Sequence, residues 1–132
     1  MVGIVIVSHS HALAEGVAEL ARQMGGPDVR IETAGGLDLP EHPIGTDAVM
    51  VMAAVERAWS PDGVLVLMDL GSAVLSAEMA LELLPEERRA GVMLCEAPLV
   101  EGAVAAAVTA SAGLGLDDVE QAAKETSGAA KL

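Results

Sequence analysis

Few side chains in this sequence have the chemistry to form or break a covalent bond. They are three histidines (His9, His11 and His42), a single cysteine (Cys95), and scattered serines and carboxylates. His9 lies in Ser8-His9-Ser10, directly after an unbroken apolar run and directly before a helical pattern. Its imidazole should therefore stand at the rim of a strand with one nitrogen reachable from solvent, where it can act as a nucleophile or simply brace the turn. Asp69 closes another apolar run. A carboxylate bonded to one ring nitrogen fixes the tautomer, leaves the other nitrogen its lone pair, and stabilises the positive charge that grows when that nitrogen attacks phosphorus. Asp69 can also cap the helix that follows, and the two roles are compatible. Next to it, Leu70-Gly71-Ser72-Ala73 offers small residues and backbone N–H groups at a helix start, which is how a phosphoryl group is held without a cation. Taken alone, Gly-Ser at this position is ordinary capping.

Two of these groups can meet only if the chain brings the ends of their strands together. Four short apolar runs, 3–7, 29–34, 64–70 and 92–95, alternate with helical patterns, the signature of a parallel α/β sheet covered on both faces. In the usual order of such sheets strands one and three are neighbours, and reactive groups gather outside the carboxyl ends. The first helix is expected to bury Leu13, Val17, Leu20 and Met24, to show His11 to solvent, and to stop at Gly25 and Gly26. A second helix is expected over 47–59 with Thr46 as N-cap and Ala48, Val51, Met52, Val55 and Trp59 facing inward. A third follows Asp69, burying Val74, Ala77, Leu81 and Leu84, with Pro85 beyond its end. Pro98 opens an Ala-rich fourth helix ending near Gly113. Residues 117–125 read as a further short helix or a final edge strand, and 127–132 as a frayed, disordered tail after a single domain over 1–126.

The four strand-end loops contain no Lys or Arg. A site that grips a stable phosphate normally carries one, whereas a site that must pass its phosphoryl group on is better served by dipoles and hydroxyls. His42, in Pro40-Glu41-His42-Pro43, and His11 read as solvated bystanders, and Cys95 as a buried small hydrophobe.

Composition narrows the partners. The chain has 132 residues, 52% of them hydrophobic, enough for one core and little more. Its net charge of -13 repels nucleic acid and anionic lipid, and a lone aromatic, Trp59, cannot form a base-stacking platform. One cysteine permits neither an internal disulfide nor a multi-cysteine metal cluster, consistent with a reducing, cytoplasmic compartment. The apolar opening 2–7 is too short for a signal sequence or a membrane span. Neither a Walker-type loop nor a Gly-x-Gly-x-x-Gly turn is present, so no nucleotide, cofactor or metal site is expected.

Four segments together carry a resemblance. They are Val5-Ile6-Val7-Ser8-His9-Ser10; Pro43-Ile44-Gly45-Thr46-Asp47; Leu67-Met68-Asp69-Leu70-Gly71-Ser72-Ala73 with Ser76-Ala77-Glu78; and Ala97-Pro98-Leu99-Val100-Glu101-Gly102. Spanning residues 4–102 in order, they resemble the IIA domain of the DhaM family. That family comprises the phosphotransferase (PTS) subunits of bacterial dihydroxyacetone kinases and is related to the IIA domain of mannose-type sugar transporters. The resemblance implies a mannose-type IIA-like open sheet and a homodimer. It implies a phosphohistidine at His9, with Asp69 as its partner and Gly71, Ser72, Ser10 and Thr46 around the phosphoryl group. It also implies HPr as donor and ADP held on the kinase subunit DhaL as acceptor, with DhaK in the same system. Some members of the family continue into an HPr-like domain, which is not found in these residues.

Other readings fit parts of the pattern. The IIA domain of a mannose-family sugar transporter would share the site. A receiver domain would put a phosphoacceptor at Asp69, but needs an acidic pair after strand one, where Ser8-His9-Ser10 stands. A tetrapyrrole metal chelatase also uses a strand-end histidine, yet needs a second ligand, for which His42 is the only candidate. A non-catalytic interaction domain would leave the grouping of His9, Asp69 and Gly71-Ser72 unexplained.

Overall fold

The apolar runs form four parallel strands: β1 (Gly3–Ser8), β2 (Ile31–Gly35), β3 (Val64–Met68) and β4 (Val92–Cys95). Their order in the computed structural model, which describes all of residues 1–132, is β2-β1-β3-β4. Side chains alternate across a strand. Accordingly Ile4, Ile6, Leu65 and Leu67 pack against one helical layer, and Val5, Val7, Val64 and Val66 against the other. With both faces covered, β1, β3 and β4 carry nearly continuous apolar sequence, whereas the edge strand β2 admits Glu32 and Thr33.

The first layer holds α1 (His11–Gly25), α5 (Leu99–Ser111) and α6 (Leu116–Glu125); the second holds α2 (Ala48–Ala58) and α3 (Gly71–Leu83). A single turn, α4 (Glu86–Arg89), links α3 to β4. It was not expected from sequence: the four residues Glu86–Arg89 are too few to carry a periodicity. It is held instead by Arg88 stacked 4.5 Å over Trp59 and by Arg89, which donates to the carbonyls of Leu81 and Leu84.

Several expectations about helix faces are corrected. On α1 the buried residues are Ala14, Val17, Ala18 and Ala21, while Leu13, Leu20 and Met24 are exposed. The reason is close approach: α1 lies so tight on α5 that a Cβ at Gly25 would sit 2.8 Å from the Ala107 methyl. Only small side chains fit such a seam, so the long apolar ones are displaced outward. The N-cap of α2 is Asp47, whose carboxylate accepts from the Val49 N–H at 2.8 Å, and not Thr46. Val51 and Val55 are buried as expected, whereas Ala48, Met52 and Trp59 are half-buried. On α3 the inward residues are Ala73, Ala77 and Ala80, with Leu84 buried just past the end and Val74 and Leu81 half-buried. β3 stops at Met68, before Asp69 and Leu70, and β2 begins at Ile31, after Val29. Residues 117–125 are helical, so no fifth strand forms. Beyond α6 the chain makes a 3-10 turn, Thr126–Gly128, and Lys131 pairs with Glu101 at 2.9 Å.

The two edges of the sheet differ. On β2 the carbonyls that point away from β1 are occupied by arginines: Arg22 donates to Ile31 at 2.7 Å and Arg57 to Thr33 at 3.2 Å, with Arg57 also paired to Glu32. On β4 no side chain bonds the outward backbone of Val92 or Leu94. No helix is long and apolar enough to cross a membrane.

Candidate active site

The register of β1 against β3 sets the site. Val7 stands opposite Met68, so the next residues, Ser8-His9 and Asp69, leave the sheet side by side. The Asp69 N–H still donates to the Val7 carbonyl at 3.1 Å, which fixes where its side chain starts.

Asp69 accepts four hydrogen bonds. Oδ2 takes the Ser8 hydroxyl at 2.8 Å and the His9 backbone N–H at 2.9 Å. Oδ1 takes His9 Nδ1 at 2.9 Å and the Leu70 backbone N–H at 2.7 Å. Burial is the largest single influence on this carboxyl and pushes its pKa up. The bonds from the His9 backbone, the His9 ring, Ser8 and Leu70 together outweigh it and hold Asp69 below the usual carboxylate range. Asp69 does not cap α3 directly: the N-cap is Leu70, with no side-chain bond to the helix.

An ionised carboxylate can only accept, so Nδ1 of His9 carries the proton and Nε2 the lone pair. Nε2 faces the Ser72 hydroxyl, which donates to it. The ring is 18% exposed and the Asp69 side chain 10%, so the pair is sheltered but reachable. Gly71 and Ser72 open α3. As its first two residues they have no intrahelical acceptor for their N–H groups, which stand at the positive end of the helix dipole beside Nε2. A Cβ at Gly71 would meet nothing within 4 Å, and Gly71 and Ser72 are both exposed.

The remaining residues of the expected site are placed as follows. The Ser10 hydroxyl accepts from the Leu13 N–H at 3.2 Å and caps α1. Thr46 bonds Ser76 at 2.6 Å, one turn along α3 from Ser72. His11 and His42 are exposed, and no histidine, cysteine or carboxylate cluster suited to a metal forms. A surface cleft lies elsewhere, between the end of α1 and β2, and is lined mainly by charged and polar groups such as Glu15, Arg22, Arg30 and Glu32.

A match to known proteins accompanies this geometry. A family model described as the PTS system fructose IIA component covers residues 3–120. The PEP-dependent dihydroxyacetone kinase phosphoryl donor subunit DhaM of Escherichia coli (strain K12) is 59% identical over 120 residues, which make up 90% of this chain and 25% of that protein. A subunit of the same description from PEP-dependent dihydroxyacetone kinase 2 of Listeria innocua is 41% identical over 108 residues, 82% of this chain and 85% of the relative. This chain is a member of the DhaM family of PTS IIA components. It spans about a quarter of the length of the Escherichia coli relative. The crystal structure of the unknown-function protein EF1359 superposes with a TM-score of 0.86 at 34% identity, covering 100% of this chain and 99% of that one. The sheet order and layers are thus those of the mannose-type IIA-like fold expected from sequence.

Two further groups build the site, and the sequence marks them only as members of the matching segments, with no role of their own. Ser8 is fully buried and is the only buried polar side chain; it anchors Asp69 through its hydroxyl and accepts from the Ser10 N–H at 3.0 Å. A serine closing an otherwise apolar strand was the available signal. The other is the Gly45 N–H, which donates to the His9 carbonyl at 2.9 Å and fastens the loop before α2 to the histidine. Nothing local in the sequence marks that contact. Across from it Gly36, at φ +73°, turns the end of β2 so tightly that an added Cβ would lie 3.1 Å from the His11 nitrogen.

Proposed function

We propose that this chain is a cytoplasmic phosphocarrier whose His9 Nε2 accepts a phosphoryl group from HPr and passes it to ADP bound on a DhaL kinase subunit, with DhaK in the same system. The observation that carries this is the Asp69–Nδ1 bond, which leaves Nε2 as the nucleophile, facing Ser72 and the start of α3. The names of the relatives support the dihydroxyacetone kinase setting.

On acceptance, the Nε2 lone pair forms a bond to phosphorus as the P–N bond of the donor phosphohistidine breaks, and the electron pair returns to the donor ring. The proton on Nδ1 stays in place, so His9 becomes cationic and the Asp69 carboxylate stabilises it. Ser72 must swing off Nε2; its hydroxyl and the N–H groups of Gly71 and Ser72 then serve the phosphoryl oxygens. Ser10 and Thr46 act at one remove, by holding α1 and the loop before α2 in place. Because no strand-end loop brings a cation, the group is bound modestly and can leave again. We further propose a homodimer, supported by the contrast between the arginine-covered β2 edge and the open β4 edge.

The test is incubation with phosphoenolpyruvate, the first PTS enzyme and HPr, followed by intact-mass measurement before and after acid. One acid-labile phosphoryl group per chain is expected, since a phosphoramidate hydrolyses in acid and a phosphoserine does not; an acid-stable adduct would refute the histidine. A second reading, the IIA component of a sugar transporter, is favoured by the description of the matching family model. Transfer onward to DhaL–ADP decides between them.

A further inference from the structure

Ser8 ends β1 with its side chain at 0% exposure. A hydroxyl so deep must satisfy its hydrogen bonds inside the fold, and both of its partners are fixed. Its Oγ accepts from the Ser10 N–H at 3.0 Å, so its own proton is left for Asp69 Oδ2, 2.8 Å away. The backbone cannot turn aside. Ser8 pairs with Gly35 in the sheet, its carbonyl accepts from the Gly36 N–H at 3.1 Å, and the Val7 carbonyl before it takes the Asp69 N–H.

The two oxygens of Asp69 are therefore held differently. Oδ1 rests on His9 Nδ1 and on the N–H of Leu70, a residue 63% exposed at the start of the helix whose Ser72 must move when a phosphoryl group arrives. Oδ2 rests on the buried Ser8 hydroxyl and on the His9 N–H. One donor at Oδ2 would leave the carboxylate free to rotate about its bond to Cβ, whereas two donors from different directions remove that freedom. From this asymmetry we infer, building on the phosphocarrier reading above, that Ser8 is a positioning residue for phosphoryl transfer: its hydroxyl locks the plane of the Asp69 carboxylate, keeping Oδ1 on Nδ1 while Ser72 leaves Nε2 and the phosphoryl group takes its place. Ser8 touches neither the donor nor the reacting nitrogen, and its proton stays on Oγ throughout. Its effect passes through Asp69 alone. A serine that merely satisfied the Ser10 N–H at the start of α1 would support folding and leave the transfer rate of the folded protein unchanged.

The test is a cycle of four proteins, each the whole chain: wild type, Ser8→Ala, Asp69→Asn and the double variant. His9 is labelled from phospho-HPr and from phosphoramidate, a small donor that needs no docking, and rates are referred to the folded fraction found by urea denaturation. Ser8→Ala should lower the maximal rate by about 10–100-fold with either donor, the loss typical when the partner that orients a reactive group is removed. The phospho-HPr concentration for half-maximal rate should stay within about twofold, because a buried residue cannot meet the donor. In the Asp69→Asn background the same substitution should change the rate by less than about threefold, since the bond it protects is already gone. A measurement on the wild type covers the case in which Ser8→Ala does not fold. There the Ser8 hydroxyl proton should be resolved by NMR in slow exchange with water and close to the Asp69 carboxyl carbon, before and after His9 is labelled. A wild-type rate per folded Ser8→Ala molecule, an equal slowdown in the Asp69→Asn background, or a Ser8 hydroxyl proton in free exchange with water would each overturn the positioning role and leave the phosphocarrier standing. Failure of both donors to label His9 in the wild type would instead remove the phosphocarrier reading itself.

Discussion

Replacing Asp69 with Asn separates a structural from a chemical role for this carboxylate. The amide is nearly isosteric but has one acceptor where the carboxylate has two, and its NH2 must face one of the two pairs of donors. If the NH2 takes the place of Oδ2, it confronts the His9 backbone N–H, which is partly buried. If it takes the place of Oδ1, it confronts the Leu70 N–H, which is exposed and can turn to water, and His9 Nδ1. Leaving a sheltered N–H unpaired costs about 1–3 kcal/mol, so the second orientation should prevail. Nδ1 must then accept, which moves the ring proton to Nε2 and removes the lone pair needed for attack. A preference of that size leaves roughly one molecule in 5 to one in 150 with the competent tautomer. Loss of the charge-assisted bond to the cationic product costs roughly 1.5–3 kcal/mol more. Transfer from phospho-HPr in a single turnover should therefore slow by about 10²–10⁴, in line with the roughly 10⁴-fold loss known for an Asp-to-Asn change behind a protease histidine. The fold should persist. Single-turnover rates give the kinetics, and the nitrogen shifts of isotopically labelled His9 give the tautomer. A ring still protonated at Nδ1, with transfer within threefold of wild type, would refute the argument.

Three further outcomes follow from the same structure. His9→Ala should abolish acid-labile labelling, whereas His11→Ala and His42→Ala, both exposed and outside the Asp69 network, should retain it within about twofold in intact-mass assays. Because Asp69 is held below its ordinary value of about 3.9, its contribution to stability is complete above that pH and declines as pH falls toward the folded value. The stability gap between wild type and Asp69→Asn in urea should accordingly be constant from pH 7 to about 5 and narrow below about 4; a gap that widens in acid would contradict the assignment. Finally, Ala18→Leu should destabilise the fold by about 1–3 kcal/mol by overpacking the seam under α1, while Leu20→Gln should change it by less than about 0.5 kcal/mol; urea denaturation would reveal the reverse order if the expected helix face were the true one.

The sequence by itself determined the strands, their parallel class and the residues worth watching. Runs such as Ile4 to Val7 and Val64 to Leu67 are apolar without a break because each face of the sheet is covered, and that is visible without coordinates. The adjacency of His9 and Asp69 was legible too, since the expected neighbourhood of strands one and three brings their ends together. Sequence did not disclose which face of α1 is inside. Leu13, Leu20 and Met24 keep helical spacing as faithfully as the alanines do, and only the closeness of α5, felt at Gly25 and Ala107, excludes the larger side chains. Nor could it show which imidazole nitrogen is free, because that depends on the ring orientation that sets Nδ1 against Oδ1 and Nε2 against Ser72. Ser8 beneath Asp69 and the Gly45 N–H against His9 are likewise contacts between segments far apart in the chain. Periodicity reports what each residue needs from its own element, while hydrogen bonds at a strand end depend on register and on how closely the layers meet, and those are set only when the whole chain has packed.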